Sequence, residues 1–343
     1  MVSQAEPLAH MRASGVRGRR FSVGLALLDL GLAVAAALSL ATLWAAQAWL
    51  PDMVSFFRPA LFYVCVMLFL AALVARRPRR LVAAVVLVAF NAWPLVVPAT
   101  AFPAKAQPGA PTIRVMSANL LYDNTQFDRL RQVVKDVAPD VLVVQEEFGQ
   151  WPGVIRSLEG LPYHMPMYVT DVVSRYPFTA SFADLGPVRL PANAGGGAPR
   201  RVVIDPGPGR RPFVIYAIHP PTPRTLEGWQ VRGAYLRQIA KLVRAEPEGT
   251  PVMVVGDWNT PTWSPLLRDF LDRSEMASAE ASPWPAATRI FDLFGLPLPR
   301  WLGTPVDRVA VSRNIAVAGF EVGGAFGSDH LPVYADVALP AKP

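Results

Sequence analysis

Four short segments hold the residues best equipped for chemistry: Ser117-Ala118-Asn119, Val144-Gln145-Glu146, Gly256-Asp257-Trp258-Asn259 and Ser328-Asp329-His330. His219 falls between the second and third. Each segment puts a carboxylate, an amide or an imidazole at the end of an apolar run of the kind that forms a buried strand. Hard oxygen ligands gathered at strand ends suit magnesium-dependent phosphoryl transfer, because Mg2+ takes carboxylate oxygens, keeps several waters and needs only one or two acids. Glu146 is the first choice for such a ligand, and strand alternation points its neighbour Glu147 the other way. Asp257 and Asn259 are two apart and share a side of an extended segment. Asp-Trp-Asn-Thr-Pro also reads as a turn closing a strand, and the two readings are compatible.

These residues need strands to carry them. Ile113–Met116, Val141–Val144, Phe213–Ile218, Pro251–Val255, Val306–Val311 and Leu331–Leu339 are apolar runs of strand length. Phe127, Leu130, Val133, Val134 and Val137 recur at helical spacing, with Thr125 and Asp128 resembling a capping box and Pro139-Asp140 ending the helix. Trp229, Leu236, Ile239 and Leu242 predict a second long helix. Strands and helices alternate, and the later part is richer in strands. The fold class is therefore α/β (α+β), with helices outside a two-sheet core favoured over a plain doubly wound sheet. Pro191–Pro199 reads as a loop, and its three glycines lack the Lys-Ser/Thr of a phosphate loop. No HExxH, GxSxG or paired CxxC is present.

Asn119, Gln145-Glu146, His219, Gly256-Asp257-Trp258-Asn259, Asp307 and Ser328-Asp329-His330 together resemble the endonuclease/exonuclease/phosphatase superfamily, over about Thr112 to Leu339. Trp258 stands where the family usually has Phe, and Arg308 follows Asp307 where it often has His. The resemblance implies a four-layer α-β-β-α sandwich with the site at one end of the sheets. It implies metal binding by Glu146, Asn119 and Asp329, with Mg2+ expected and Mn2+ as its substitute. It assigns water activation to Asp257 and water orientation to Asn259, and it has Asn119 position the phosphate or a water. It pairs His330 with Asp307, so that His330 binds a phosphoryl oxygen or serves as the base. His219 then stabilises charge on the transferred group or protonates the leaving oxygen. Arg175, Arg200 and Arg201 are ambiguous between substrate contacts and ordinary surface arginines.

The 343 residues are 52% hydrophobic, and the excess is local. Phe21–Leu50, Met53–Ala75 and Leu81–Phe102 are nearly uncharged and long enough to span a bilayer, which takes roughly 20 residues. The first has too long an apolar core for a cleaved signal peptide. Asp29 in that span is read as an acid near a helix end or facing a neighbouring helix. Arginines 12, 17, 19 and 20 precede the first span, and Arg76, Arg77, Arg79 and Arg80 lie between the second and third. Positive loops stay cytoplasmic. The expected organisation is a basic cytoplasmic tail (1–20), three transmembrane helices forming a multi-pass inner-membrane anchor (21–102), a linker (103–111) and an extracytoplasmic, periplasmic or extracellular, catalytic domain (112–343). Residues 1–110 hold ten Lys/Arg against three Asp/Glu, whereas residues 111–343 hold 23 of each sign. The domain is thus neutral, without the overall basic footprint common in nucleic-acid binders. Cys65 is the sole cysteine, so no disulfide forms within one chain.

The expected activity is metal-dependent hydrolysis of a phosphoester as a phosphodiesterase, nuclease or phosphatase. The substrate is a nucleic acid, a lipid headgroup or a small phosphoester; the bacterial-type tether and short linker make a lipid headgroup plausible, and the neutral domain tilts the choice toward the latter two. The alternative is a non-catalytic, membrane-anchored relative that binds a ligand or partner.

Overall fold

The computed structural model describes residues 7–97, 102–165, 169–191, 195–280 and 282–341, with side chains from residue 23 onward. The N-terminal basic side chains, residues 98–101 at the end of the third expected span and residues 192–194 of the Pro191–Pro199 loop lie outside that description.

Two sheets lie face to face. The first runs in the order Ala104–Lys105, Ala316–Val322, Val333–Ala338, Ile113–Asn119, Val141–Gln145, Thr170–Ser174, Tyr163–His164. The second runs Met276–Ser278, Asp307–Ser312, Val252–Asp257, Phe213–His219, Gly197–Ile204, Phe178–Phe182. The central strands are buried on both faces, which is why they read as unbroken apolar runs. Alternation sorts their side chains. Val115, Val141 and Val143 join Val202, Ile215, Met253 and Val309 between the sheets. Met116, Leu142 and Val144 turn outward onto Leu130, Val134, Trp151 and Ile155 of two covering helices. On the other flank Tyr216, Ile218 and Val254 meet Leu236, Ile239, Leu267 and Phe270. The layers are α-β-β-α, as expected.

The helix Phe127–Val137 departs from its expected start. Its N-cap is Gln126, which makes no side-chain cap bond, and Asp128 instead pairs with Arg131 at 2.8 Å. The segment Ala104–Lys105, read as part of a linker, adds a short parallel strand beside Ala316–Val317.

Two N-terminal helices are long and apolar enough to cross a membrane, Val23–Trp44 and Pro78–Val96. A third span is reached only by counting Trp49–Phe56 and Arg58–Val74 together, and these are bent by 69° at their junction. The helices meet through Leu28, Leu32, Leu61, Cys65, Ala84 and Leu87, while Leu27, Leu30 and Met67 are exposed. Asp29 pairs with Arg80 at 2.6 Å, which accounts for that acid structurally.

Candidate active site

Asn119 ends one strand of the first sheet, and Glu146 directly follows the next, Val141–Gln145. His219 and Asp257 end adjacent strands of the second sheet, and Asp307 opens the strand that pairs Asp307 with Asp257. His330 precedes Val333–Ala338 in the first sheet. The site therefore lies where corresponding ends of the two sheets meet. Gly256 makes this approach feasible: at φ +149°, a Cβ there would lie 1.9 Å from the Ile218 carbonyl oxygen. Gly196 does the same behind His219, since its Cβ would lie 2.7 Å from the His219 carbonyl. The expected Gly-rich loop is thus in part a close-packed entry to the strand Gly197–Ile204.

Asn119 holds the centre. Its Nδ2 donates to Glu146 Oε1 and to Asp257 Oδ2, both at 3.1 Å, and its Oδ1 accepts from the Leu121 N–H at 3.1 Å. Here the side chain serves the two acids as a donor, and the oxygen expected to face a metal is occupied by Leu121. Glu146 has a left-handed backbone (φ +59°), which turns its carboxylate off the strand and into the site, and Tyr122 N–H donates to Oε2. At 21% exposure its side chain is far more open than that of Asp257.

His219 Nε2 lies 3.6 Å from Asp257 Oδ2 and 3.8 Å from Glu146 Oε1. Neither of its ring nitrogens has a hydrogen-bond partner among the described residues. Asp257 Oδ1 accepts from the Asn259 N–H at 2.8 Å. Asn259, itself left-handed (φ +47°), donates its side-chain amide to the Pro220 carbonyl and so ties together the loops after both strands. Burial and the adjacent Asp307 carboxylate push Asp257 above the usual carboxylate range, against the pull of His330 and His219.

His330 Nδ1 meets Asp307 Oδ2 at 2.8 Å, and its Nε2 lies 3.7 Å from Asp257 Oδ2. The Asp307 bond fixes the tautomer. Burial disfavours the charged ring, but Asp307 and Asp257 outweigh it and raise His330 to about 9. Arg289 opposes that rise, with Nη1 2.7 Å from His330 Nε2 and Nη2 2.7 Å from Asp329 Oδ2. A guanidinium and a protonated imidazole cannot share the first contact, so charging His330 requires Arg289 to turn away.

Arg289 is the site cation that sequence reasoning missed. It lies in a stretch without strand or helix periodicity, and isolated bridges to Thr304 and His330 hold it in place. Arg175 pairs with Asp140 and Arg201 with Glu246. Ser174 and Val141 are paired at the strand ends away from Glu146, so Arg175 lies remote from the site. Arg200 stacks over Phe182. Asp329, expected as a metal contact, gives one oxygen to Arg289, and its buried Oδ1 has no partner among the described residues.

The donor set fits a divalent cation. Among the described residues Asp257, Asp307 and His330 bring ligand atoms within 4.8 Å of one another. Glu146 adds a carboxylate reaching the same Asn119 amide, and Asp307 Oδ1 is a further buried oxygen without a partner there. Crowded, underpaired acids of this kind are what a dication would neutralise.

Trp258 keeps an aromatic where Phe is expected, with its indole N–H buried and without a partner among the described residues. It is fully buried, with its ring edge-on to Phe270 at 4.7 Å. Arg308 points away from the catalytic cluster and donates to Thr262 Oγ1 at 2.7 Å.

Glu147 does face away from Glu146. It is buried against Asp171, and burial together with that second carboxylate raises it to about 9. An acid raised from 4.5 to about 9 binds more protons in the folded than in the unfolded protein, so its stabilisation is complete below 4.5 and is lost as pH rises through that window. Glu147→Gln keeps a donor for Asp171. It is expected to raise the thermal midpoint by about 2–4 °C at about pH 8.5 and to leave it unchanged near pH 4. Thermal melts across pH check this, and an equal shift at every pH would contradict it.

Comparison with known proteins agrees with this geometry. The family model described as "Endonuclease/Exonuclease/phosphatase family" matches residues 116–330. Among solved structures, an endonuclease/exonuclease/phosphatase from Beutenbergia cavernae is 20% identical, over 66% of this chain and 72% of that one, with a TM-score of 0.51. One from Bacteroides vulgatus is 18% identical, covering 67% and 100%, at 0.52. D. rerio TDP2, solved with a single-strand DNA product, is 13% identical, covering 66% and 98%, at 0.52. At these identities the structural likeness is one of fold. No curated protein matched the sequence.

Proposed function

The chain belongs to the endonuclease/exonuclease/phosphatase family, and from that premise we propose that it is a membrane-anchored, Mg2+-dependent hydrolase of phosphoesters whose catalytic domain faces away from the cytoplasm. The observation that carries the reading is the meeting of Glu146, Asn119, His219, Asp257, Asp307 and His330 at one end of the two sheets. When bound, the cation would supply charge neutralisation at the phosphoryl oxygens. Glu146, far more open than Asp257 and Asp307, would be the first acid to hold it, with Asp257, Asp307 and the free oxygen of Asp329 in reserve.

The protein groups do the rest. Asp257 accepts a proton from the attacking water at its carboxylate, where the raised affinity for protons suits a base. Asn119 keeps Glu146 and Asp257 at a fixed separation. Asn259 fixes Asp257 through its own N–H and the His219 loop through Pro220. Protonated His330, held by Asp307, directs Nε2–H at charge developing on a phosphoryl oxygen. His219, with no hydrogen-bond partner for either ring nitrogen among the described residues, donates its proton to the departing oxygen. Arg289, displaced from His330, turns to an anionic substrate oxygen.

The neutral domain and the attached apolar helices favour a lipid headgroup or a small phosphoester over nucleic acid. The arrangement of the helices supports that orientation. Arg76–Arg80 occupies one end of the bundle, and the catalytic domain meets the other at Trp49–Phe57 and Leu95.

The test uses the full chain in detergent micelles with Mg2+. The substrates are a generic diester, a monoester, single- and double-stranded DNA, and phospholipid in mixed micelles. Excess chelator is expected to remove at least about 10³-fold of the activity, and Mg2+ or Mn2+ to restore it. Undiminished turnover in chelator would reject the reading. A steep loss of affinity with salt would move the substrate to nucleic acid.

A further inference from the structure

The short helix Trp49–Phe56, between the first apolar helix and Arg58–Val74, docks on the catalytic domain at several points. Trp49 Nε1 donates to the Pro223 carbonyl at 2.8 Å. The final carbonyls of a helix lack partners within it, and here the domain supplies them: Trp263 Nε1 donates to Ser55 at 2.7 Å and Thr304 Oγ1 to Phe56 at 2.7 Å. Phe57 packs on Phe291, with ring centroids 5.0 Å apart.

At the centre of this contact, Asp52 Oδ2 meets Arg232 Nη2 at 2.5 Å, with side-chain exposures of 1% and 0%. The other arm of Arg232, Nη1, donates to the backbone carbonyl of Asn259 at 2.6 Å. Asn259 is the left-handed residue whose N–H holds Asp257. A continuous path of short polar contacts thus runs from the N-terminal helices into the loop carrying the base. Thr304 extends a second path, because it is bridged to Arg289.

A buried ion pair contributes little net stability compared with an apolar pair of the same volume. A non-glycine residue at positive φ persists only where its surroundings hold it. We infer that Trp49–Phe56, acting through Asp52 and Arg232, is a positioning element for the Asp257–Asn259 loop, so that the apolar helices form part of the working enzyme as well as its anchor. The activity readout rests on the hydrolase reading above, whereas the contact itself does not.

Two full-length variants in detergent test this. Asp52→Asn removes the charge that fixes Arg232. Asp52→Leu combined with Arg232→Met replaces the pair with apolar side chains of similar size and leaves the Asn259 carbonyl without its donor. The expected result for both is a kcat about 10–100-fold lower with KM within about twofold, since a small misplacement of a reacting group costs that much. Backbone hydrogen exchange over 256–262 is expected to quicken at least about tenfold, while the strands of the first sheet keep their protection. If the apolar pair keeps wild-type kcat and wild-type exchange over 256–262, the ion pair is only packing and the inference is overturned. If wild type hydrolyses no phosphoester yet exchange still quickens in the variants, the hydrolase reading fails and the positioning contact stands.

Discussion

In the full-length protein, Asp257→Asn is expected to slow hydrolysis about 10³-fold, within the roughly 10²–10⁴-fold that a positioned general base supplies. The change is nearly isosteric. The introduced amide can still accept from the Asn259 N–H, the 2.8 Å bond that shapes the loop, but it cannot take a proton from water. The fold should be kept, although the amide has one oxygen and cannot also accept from Asn119 Nδ2, which donates to Asp257 Oδ2 in wild type. Asp257 is buried beside Asp307, and removing one of two crowded acids relieves repulsion. This relief and the lost Asn119 bond oppose each other, so the thermal midpoint is expected to stay within a few degrees of wild type. The measurements are kcat/KM with saturating Mg2+ and a melt in the same detergent. Activity within tenfold of wild type would move the proton acceptor elsewhere, with His330 Nε2 the next group at 3.7 Å.

His330 should rank second. His330→Ala leaves Asp307 Oδ2 buried without its 2.8 Å partner, so lost activity and lost stability would be confounded. His330→Gln avoids this, because its amide can donate to Asp307 while carrying no charge. The expected loss is about 10²–10³-fold in kcat, the usual effect of removing one electrostatic donor from the reacting centre. Asp307→Asn should reproduce much of it by releasing the tautomer. The double variant should be no worse than His330→Gln alone, since groups acting as a unit are not additive. A double variant whose losses multiply would show that Asp307 works independently of the imidazole.

Much of this site was readable in the sequence for a simple reason. A polar residue that closes a buried strand must either face solvent or do something, and Asn119, Glu146, His219 and Asp257 all stand in such positions. The sandwich was readable because strands covered on both faces leave unbroken apolar runs. Arg289 was not readable. It sits among prolines and glycines, where no periodicity fixes a direction, and only its bridges to Thr304 and His330 bring it in. Arg232 is one of several basic residues in the helix Leu226–Arg244, and Asp52 falls between the first two apolar runs. Their meeting depends on a contact across 180 positions that local patterns do not encode. The orientation of the Asn119 amide was equally hidden, because it is decided by the Leu121 N–H. Asp329 stands beside His330 in the sequence, but its engagement by Arg289 follows from that same unseen arginine.

Ala104–Lys105, stitched to Ala316–Val317, bears on how the proposed hydrolase would meet a substrate. A catalytic head on a slack leash sweeps a hemisphere and gains from the raised effective concentration of anything inside it. This head is fastened at its sheet edge on one side and at Trp49–Phe56 on the other, with only a few residues between Val97 and the stitch. Both attachments restrict how far its mouth can swing relative to the helices, which narrows the directions from which a molecule can reach it.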